Sequence, residues 1–126
     1  MDTPGFQIFF QIIDLYPDFK IPRTPHIACL DWERLRFPLS LRKWKPGDRF
    51  YPLGMQQAKK VSDFLIDLKI PRMLKENVYV LCCQEEIAWV VGYRPDDRYK
   101  ITADTKKVYQ IEVNHQEVFR SETDGL

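Results

Sequence analysis

The hydrophobic pattern of the chain is mostly that of short β-strands. Residues 6–13 are rich in β-forming side chains and have apolar residues at 6, 8, 10 and 12, which predicts a first strand. The segment 39–44 alternates apolar and polar residues, as expected of a strand with one face in solvent. Further strands are predicted where Val, Ile, Tyr, Trp and Cys cluster between polar turns, at 26–30, 78–83, 87–91 and 106–113.

One segment follows a helical period instead. Its apolar residues recur at positions i, i+3, i+4 and i+7, namely Val61, Phe64, Leu65 and Leu68. Ser62 is the predicted N-cap, and Val61 and Ile66 are expected to form a hydrophobic staple around it. Pro71 stops the pattern, so the helix is expected over about residues 62–69.

Together these elements predict an α+β fold, mostly antiparallel β, with one main helix and a short helical turn after Pro71. A chain of 126 residues is expected to form one domain. Prolines at positions 17, 22 and 25 favour an extended stretch before residue 26. We therefore predict an N-terminal strand and proline-rich linker or arm at 1–25, a domain at 26–120 and a frayed tail at 121–126.

Composition narrows the class of protein. The chain is 44% hydrophobic and 29% charged, which is typical of a folded globular domain. It has neither a long apolar run nor a secretory signal pattern, so we expect a cytoplasmic location and no membrane partner. Cys29, Cys82 and Cys83 are odd in number, which favours reduced, buried thiols over a disulfide framework. Neither His26 nor His115 has ligand spacing to them, so no metal site is expected.

The formal net charge of +1 conceals an uneven distribution. Residues 34–60 contain eight basic residues and one acid, Asp48, for a net charge of +7, and the remainder of the chain carries −6. Aromatic residues are interleaved with the basic ones, at Phe37, Trp44, Phe50 and Tyr51. Basic side chains beside flat rings suit a polyphosphate partner that also offers bases. The alternative is a solvated basic face that is balanced by the acidic remainder.

Acidic residues near the basic segment have structural interpretations. The sequence from Lys45 to Asp48 predicts a turn, because Pro46 fixes φ and Gly47 accepts a positive φ. We expect Asp48 to hold this turn by an Asx-type bond or a salt bridge. Asp63 and Asp67 lie four residues apart and could form a carboxylate pair for acid/base catalysis. We favour structural roles instead, with Asp63 in the first turn of the helix and an ion pair to a nearby lysine.

Aromatic and loop residues are likewise expected to be structural. Trp44 and Trp89 are predicted core residues rather than stacking platforms. Gly54 and Met55 are expected to serve loop conformation and packing. For Phe50 a core position and a stacking role both stay open.

An ordered series of motifs covers about residues 26–113 and includes Leu30–Asp31, Pro38–Arg42, Trp44–Phe50 (Trp-Lys-Pro-Gly-Asp-Arg-Phe), Pro52–Met55, Lys59–Asp67, Lys69–Pro71, Ile87–Arg94, Asp97–Thr102 and Asp104–Thr105. This series resembles the C-terminal domain of tRNA(Ile)-lysidine synthase. The family's fold is similar to a mostly-β module in the β chain of phenylalanyl-tRNA synthetase. The resemblance therefore implies a compact tRNA-recognition domain.

The resemblance also implies that this chain is one part of an ATP-dependent carbon–nitrogen ligase. Such enzymes use ATP, Mg²⁺ and lysine to convert the wobble cytidine of tRNA(Ile) to lysidine. Their catalytic ATP-pyrophosphatase domain carries a Ser-Gly-Gly-x-Asp-Ser loop, whereas none of the five glycines here is adjacent to another. We therefore expect no cofactor in this fragment and no ligase activity from it alone.

The implied role is recognition of the tRNA acceptor stem, with the enzyme's own N-terminal catalytic domain as a second partner. Basic residues beside the Pro-Gly turn and before the helix are the predicted backbone contacts, namely Arg42, Lys45, Arg49, Lys59 and Lys60. A second strip consists of Arg94, Arg98 and Lys100. Trp44, Pro46, Gly47, Asp48, Gly54, Met55 and Asp63 complete the motif as structural residues.

Two other functions stay open at this point. The first is a protein interaction or dimerisation module with little RNA contact, in which the apolar strand at 6–13 is an edge that pairs with a partner. The second is an independent small enzyme, which is disfavoured because no nucleophile–base pair or metal cluster emerges from the sequence.

Overall fold

The computed structural model of the chain describes residues 2–3 and 6–115. Its strands are, in chain order, β1 (Asp2–Thr3), β2 (Phe6–Asp14), β3 (Ile27–Asp31), β4 (Leu39–Lys43), β5 (Arg49–Phe50), β6 (Lys59–Lys60), β7 (Tyr79–Cys83), β8 (Glu86–Val90), β9 (Arg94–Pro95) and β10 (Lys107–His115). Two helices, α1 (Val61–Asp67) and α2 (Arg72–Lys75), lie between β6 and β7. Short 3₁₀ turns cover Trp32–Arg34 and Asp97–Tyr99. The predicted α+β class with mostly antiparallel strands is confirmed.

The first sheet brings together strands from both ends of the sequence. Its strand order is β1-β2-β10-β3, and all of its pairs are antiparallel. Strand β10 is central, pairing with β2 along Phe6–Asp14 on one side and with β3 along Ile27–Asp31 on the other. The N-terminal strand β2 therefore packs in the same sheet as the last described strand.

The second sheet, ordered β4-β7-β8-β9, is covered on both faces. Along β7, Leu81 and Cys83 belong to the core shared with the first sheet, whereas Val80 and Cys82 belong to a second core. That second core is formed against α1 and the two-stranded ribbon of β5 and β6. Burial on both faces explains why β7 and β8 are almost continuously apolar in sequence.

The helix differs from its prediction at both ends. It begins at Val61, with Lys60 as an N-cap that makes no side-chain capping bond, so the predicted Ser62 cap is wrong. The predicted staple is also wrong, because Ile66 is 57% exposed. The helix ends at Asp67, and Leu68 is 42% exposed instead of lying in the buried stripe. The short helical turn predicted after Pro71 is present as α2.

The predicted strands are present, with small shifts of their ends. The hairpin loop expected at 84–86 is shorter, because Glu86 already belongs to β8 and Gln84 turns the chain with φ of 57°. The short strands β1, β5, β6 and β9 were not predicted, since two residues carry no periodicity. The predicted tail at 121–126 lies outside the described residues.

The apolar face predicted for β2 is only partly buried. Ile8 is in the core, whereas Phe10 and Ile12, on the same face of the strand, are about half exposed. The three cysteines are buried and unpaired, as expected of structural thiols, and burial raises the pKa of Cys29 to about 11. In the described part of the chain, no helix has the length and hydrophobicity needed to span a membrane.

Candidate nucleic-acid interface

The centre of the basic segment is a rigid turn at Lys45–Asp48. Gly47 adopts φ of +96°, and the N–H of Asp48 donates to the carbonyl of Lys45 at 3.1 Å. The Asp48 carboxylate accepts the N–H of Lys45 at 2.8 Å, so it closes the same turn from the other side. Proline and glycine in the middle of the turn supply the fixed and the positive φ that this geometry needs.

Asp48 also binds Arg42 through two parallel hydrogen bonds. The Arg42 Nη1 and Nη2 atoms lie 2.8 and 3.0 Å from the two carboxylate oxygens. Burial of Asp48 opposes ionisation, but the Arg42 guanidinium and the Lys45 N–H outweigh it and hold the pKa of the carboxyl below its ordinary value. The predicted contact residue Arg42 is thereby engaged in a structural pair.

The ribbon of β5 and β6 follows this turn. Arg49 stands directly opposite Lys60, and Phe50 stands opposite Lys59. Phe50 is fully buried and packs edge-on against Phe64 at 5.1 Å between ring centroids, so it is a core anchor and not a stacking platform. Alternation along a strand then directs Arg49 to the opposite face, where it is exposed.

The start of α1 is tied to the turn through the backbone. The N–H of Val61 donates to the carbonyl of Asp48 at 2.9 Å, which places the helix beside Lys45 and the ribbon. Within this region Lys59 forms an ion pair with Asp67, while Asp63 lies in the first turn of the helix. The two carboxylates of α1 thus serve the structure, Asp67 in an ion pair and Asp63 at the start of the helix, and they do not form a catalytic pair.

The second predicted strip is organised by a carboxylate that the sequence analysis did not single out. Asp96 is fully buried and accepts hydrogen bonds from the backbone N–H groups of Tyr51 and Arg98, both at 2.8 Å. The Arg98 guanidinium donates to the same carboxylate at 2.9 and 3.0 Å and lies over the ring of Tyr51 at 4.6 Å. An Asp two residues before an Arg, after a short strand, was the available signal in the sequence.

The neighbouring residues Asp97 and Lys100 continue this network. Asp97 accepts the N–H of Gly54 at 2.9 Å and pairs with Lys100 at 3.2 Å, and the Gly54 bond is the main cause of its lowered pKa. Gly54 itself has φ of +92°, while Met55 is 39% exposed in the same loop. The loop at 52–55 is therefore fixed to β9 and the 3₁₀ turn after it.

The two tryptophans of the motif lie at different depths. Trp89 is 1% exposed in the core between the sheets. Trp44 is half-buried against the second core and donates its Nε1–H to the carbonyl of Lys75 at 2.6 Å, joining the end of β4 to α2. Neither ring is available as an open platform for a base.

The eight predicted contact residues therefore fall into two groups. Four are paired with carboxylates, and these are Arg42, Lys59, Arg98 and Lys100. In the described part of the chain, no carboxylate forms a salt bridge with the other four, which are Lys45, Arg49, Lys60 and Arg94. Arg94 lies over the Phe64 ring at 5.5 Å from its centroid. We call these four residues the unpaired basic group.

The described residues contain no cluster of His, Cys, Asp and Glu that could hold a metal ion. The side chains around the basic turn offer fixed positive charge and hydrogen-bond donors, and no nucleophile with an adjacent base. Such a surface is suited to binding an anionic polymer along its backbone.

A family model described as the TilS substrate C-terminal domain matches residues 39–113. The chain belongs to this family. The match includes the basic turn, the ribbon, both helices and the Asp96 network, so all of these features lie within the matched segment.

Curated relatives of the chain are tRNA(Ile)-lysidine synthases, which agrees with the family match. The chain is 44% identical over 106 residues to a tRNA(Ile)-lysidine synthase of Bacteroides thetaiotaomicron, covering 84% of this chain and 25% of that protein. It is 45% identical over 102 residues to the synthase of Parabacteroides distasonis, covering 81% and 23%. The chain thus spans about a quarter of the length of the relatives it matches.

Two solved structures share the fold. A structure titled as the TilS C-terminal domain superposes with a TM-score of 0.76 at 21% identity, covering 90% of this chain and 87% of that one. An N-terminal fragment of the phenylalanyl-tRNA synthetase β-subunit from Pyrococcus horikoshii gives a TM-score of 0.57 at 17% identity, with 73% and 28% covered. The expected likeness to the synthetase module is confirmed at the level of fold.

Proposed function

We propose that this domain binds tRNA(Ile) for a tRNA(Ile)-lysidine synthase, by holding the phosphate backbone of the acceptor stem on the unpaired basic group. The observation that carries the proposal is the direct opposition of Arg49 and Lys60 without a carboxylate partner in the described residues. Like charges placed opposite each other on a ribbon disfavour folding. An anionic ligand between them removes that repulsion.

The rigidity of the surface supports a role in recognising RNA shape. Paired RNA has a deep, narrow major groove, so proteins recognise its phosphates, its 2′-hydroxyls and its overall form. Asp48 and Asp96 each fix a neighbouring arginine and a backbone N–H, which keeps the basic turn and the adjacent loop in place. Charges on a rigid frame match a regular phosphate spacing better than charges on a mobile loop.

The proposal places the ligation reaction itself outside this domain. The relatives are about four times as long as the matched segment, and the ATP, Mg²⁺ and lysine of the reaction are proposed to bind in the remainder of such a protein. The domain described here then supplies affinity and orientation of tRNA, and its second partner is the catalytic domain of the same enzyme.

The test is filter binding of a tRNA(Ile) transcript to the chain at several salt concentrations. Contact with about four phosphates gives a slope of about −3 to −4 in a plot of log affinity against log salt. The double variant Arg49→Gln with Lys60→Gln is expected to weaken binding about tenfold or more and to reduce the slope by about 2.

A matched control removes two charges from another surface. Lys20 and Lys106 are exposed and lie outside the basic turn and ribbon, so Lys20→Gln with Lys106→Gln makes the same change of net charge. Equal losses in the two double variants would show a general charge effect and contradict the proposed site. Binding that is insensitive to salt in the parent chain would contradict backbone contact altogether.

A further inference from the structure

The outer edge of β2 is free along most of its length. Strand β1 pairs with it only at Phe6 and Gln7, through Thr3 and Asp2. Among the described residues, no other strand pairs with that edge, so the backbone of Ile8–Asp14 has its only ladder on the side of β10. Alternate residues of a strand direct their N–H and C=O groups to opposite edges, so every second residue of this segment presents unpaired groups to the free side.

This edge lacks the features by which proteins protect free strands. Residues 6–13 contain no charged residue and no proline, either of which would oppose pairing. Phe9, Phe10 and Ile12 are 52%, 53% and 50% exposed, with Phe9 on one face of the sheet and the other two on the core face. The Phe10 ring contacts Tyr109 at 5.7 Å between centroids, so the apolar core is open at this edge.

We infer that β2 pairs with β2 of a second copy of this chain, across a two-fold axis, to join two first sheets into one. The free segment is self-complementary in an antiparallel register centred on Gln11. In that register Phe10 stands opposite Ile12 of the second copy on the core face, and Phe9 stands opposite Ile13 on the other face. Directly opposed residues of an antiparallel pair share a face, so the contact of Phe10 with Ile12 extends the apolar core face, and the contact of Phe9 with Ile13 forms on the opposite face.

Neighbouring registers fit less well. A shift toward the start of the strand brings the second copy against Phe6 and Gln7, which β1 already occupies. A shift in the other direction places Asp14 opposite Phe10, which sets an exposed carboxylate against an aromatic ring. Only the register centred on Gln11 uses all seven free residues, from Ile8 to Asp14, and it confines the Asp14 carboxylate, opposite Ile8, to the two ends of the ladder.

The size of the contact sets the expected strength. About half of each exposed aromatic side chain, roughly 100 Å², is available for burial, and the two strands together offer roughly 1,000 Å² with their backbones. That area is at the lower end of the range for specific interfaces. The dimer is therefore expected to dissociate on dilution. Charge repulsion between the two copies of the free segment is small, because the segment is uncharged before Asp14.

Sedimentation velocity over a broad range of protein concentrations tests this pairing. The chain is expected to pass from monomer to dimer as concentration rises, and Phe10→Lys with Ile12→Lys is expected to keep it monomeric. The matched control is Ile66→Lys, which changes an equally exposed apolar side chain on α1 and leaves dimerisation intact. A chain that stays monomeric at every concentration would overturn the inference and leave the edge to another partner.

A cysteine cross-link tests the register independently of the lysine substitutions, which could also disturb the folding of β2. Gln11→Cys places two thiols directly opposite each other, so oxidation with diamide is expected to yield a disulfide-linked dimer. The native cysteines are buried, and Gln56→Cys in an exposed loop reports random collision. A cross-link no faster at position 11 than at position 56 would rule out this register.

Discussion

Arg49 and Lys60 face each other across the two-stranded ribbon of β5 and β6, and no described carboxylate neutralises either of them. Their neighbours in the ribbon behave differently, since Phe50 is buried and Lys59 is paired with Asp67. One face of the ribbon, with Phe50 and Lys59, is therefore structural, and the other face, with Arg49 and Lys60, carries unpaired positive charge.

This opposition predicts a variant that gains stability and loses affinity. Lys60→Glu replaces a like-charge pair by an opposite-charge pair with Arg49, which should raise the free energy of unfolding by about 0.5 kcal/mol. On the proposed function, the same variant should weaken tRNA binding, because the proposed phosphate contact of Lys60 is replaced by repulsion. Urea denaturation and filter binding on the same sample measure both effects. A variant that loses stability as well as affinity would indicate a structural role for Lys60.

Asp96 is expected to be far more important for stability than Asp97. Asp96→Ala leaves Arg98 without its buried partner and two backbone N–H groups without an acceptor, so it should cost about 2–4 kcal/mol. Asp97→Ala removes one backbone bond and a partly exposed pair with Lys100, at a cost of about 1 kcal/mol. Chemical denaturation of the two variants gives the comparison, and equal losses would contradict the assigned roles.

Acid should weaken the domain partly through Asp48. The pKa of this carboxyl is lowered in the folded state, so its contribution to stability is present above the unfolded pKa of about 4 and is lost as pH falls through the folded pKa. Asp48→Asn should lower stability at neutral pH by about 1–3 kcal/mol. The variant should also show a smaller further loss between neutral pH and acid than the parent chain. Denaturant titrations at both pH values measure this, and an unchanged acid loss would contradict the assignment.

Gly47→Ala tests the backbone of the basic turn. An added Cβ would meet no atom within 4 Å, so the loss comes from the positive φ of +96° alone and should be about 1–2 kcal/mol. Gln56→Ala in the exposed loop is the control and should be nearly neutral. A neutral Gly47→Ala variant would mean that the turn adopts another conformation in solution.

Much of the fold follows from local patterns. The strands with several apolar positions and the stripe of Val61, Phe64 and Leu65 were predictable, because burial imposes periods of two and of 3.6 residues. The cap of α1 was not, because Lys60 is the last residue of the ribbon and the carbonyl of Asp48 accepts the N–H of Val61 where a side-chain cap was expected. Likewise Phe10 and Ile12 have a core-facing period, yet their exposure depends on where the covering layer ends.

The sequence by itself determined the family, the α+β class and the concentration of basic residues at 34–60, since each is a property of residue order and spacing. Tertiary structure alone decided which of those basic residues keep free charge. Arg42 and Lys59 are engaged by Asp48 and Asp67, whereas Arg49 and Lys60 are not, because strand pairing and turn closure bring together residues that spacing cannot relate. A count of charges therefore locates a basic segment, and only its folded geometry shows which of those charges are paired with described carboxylates.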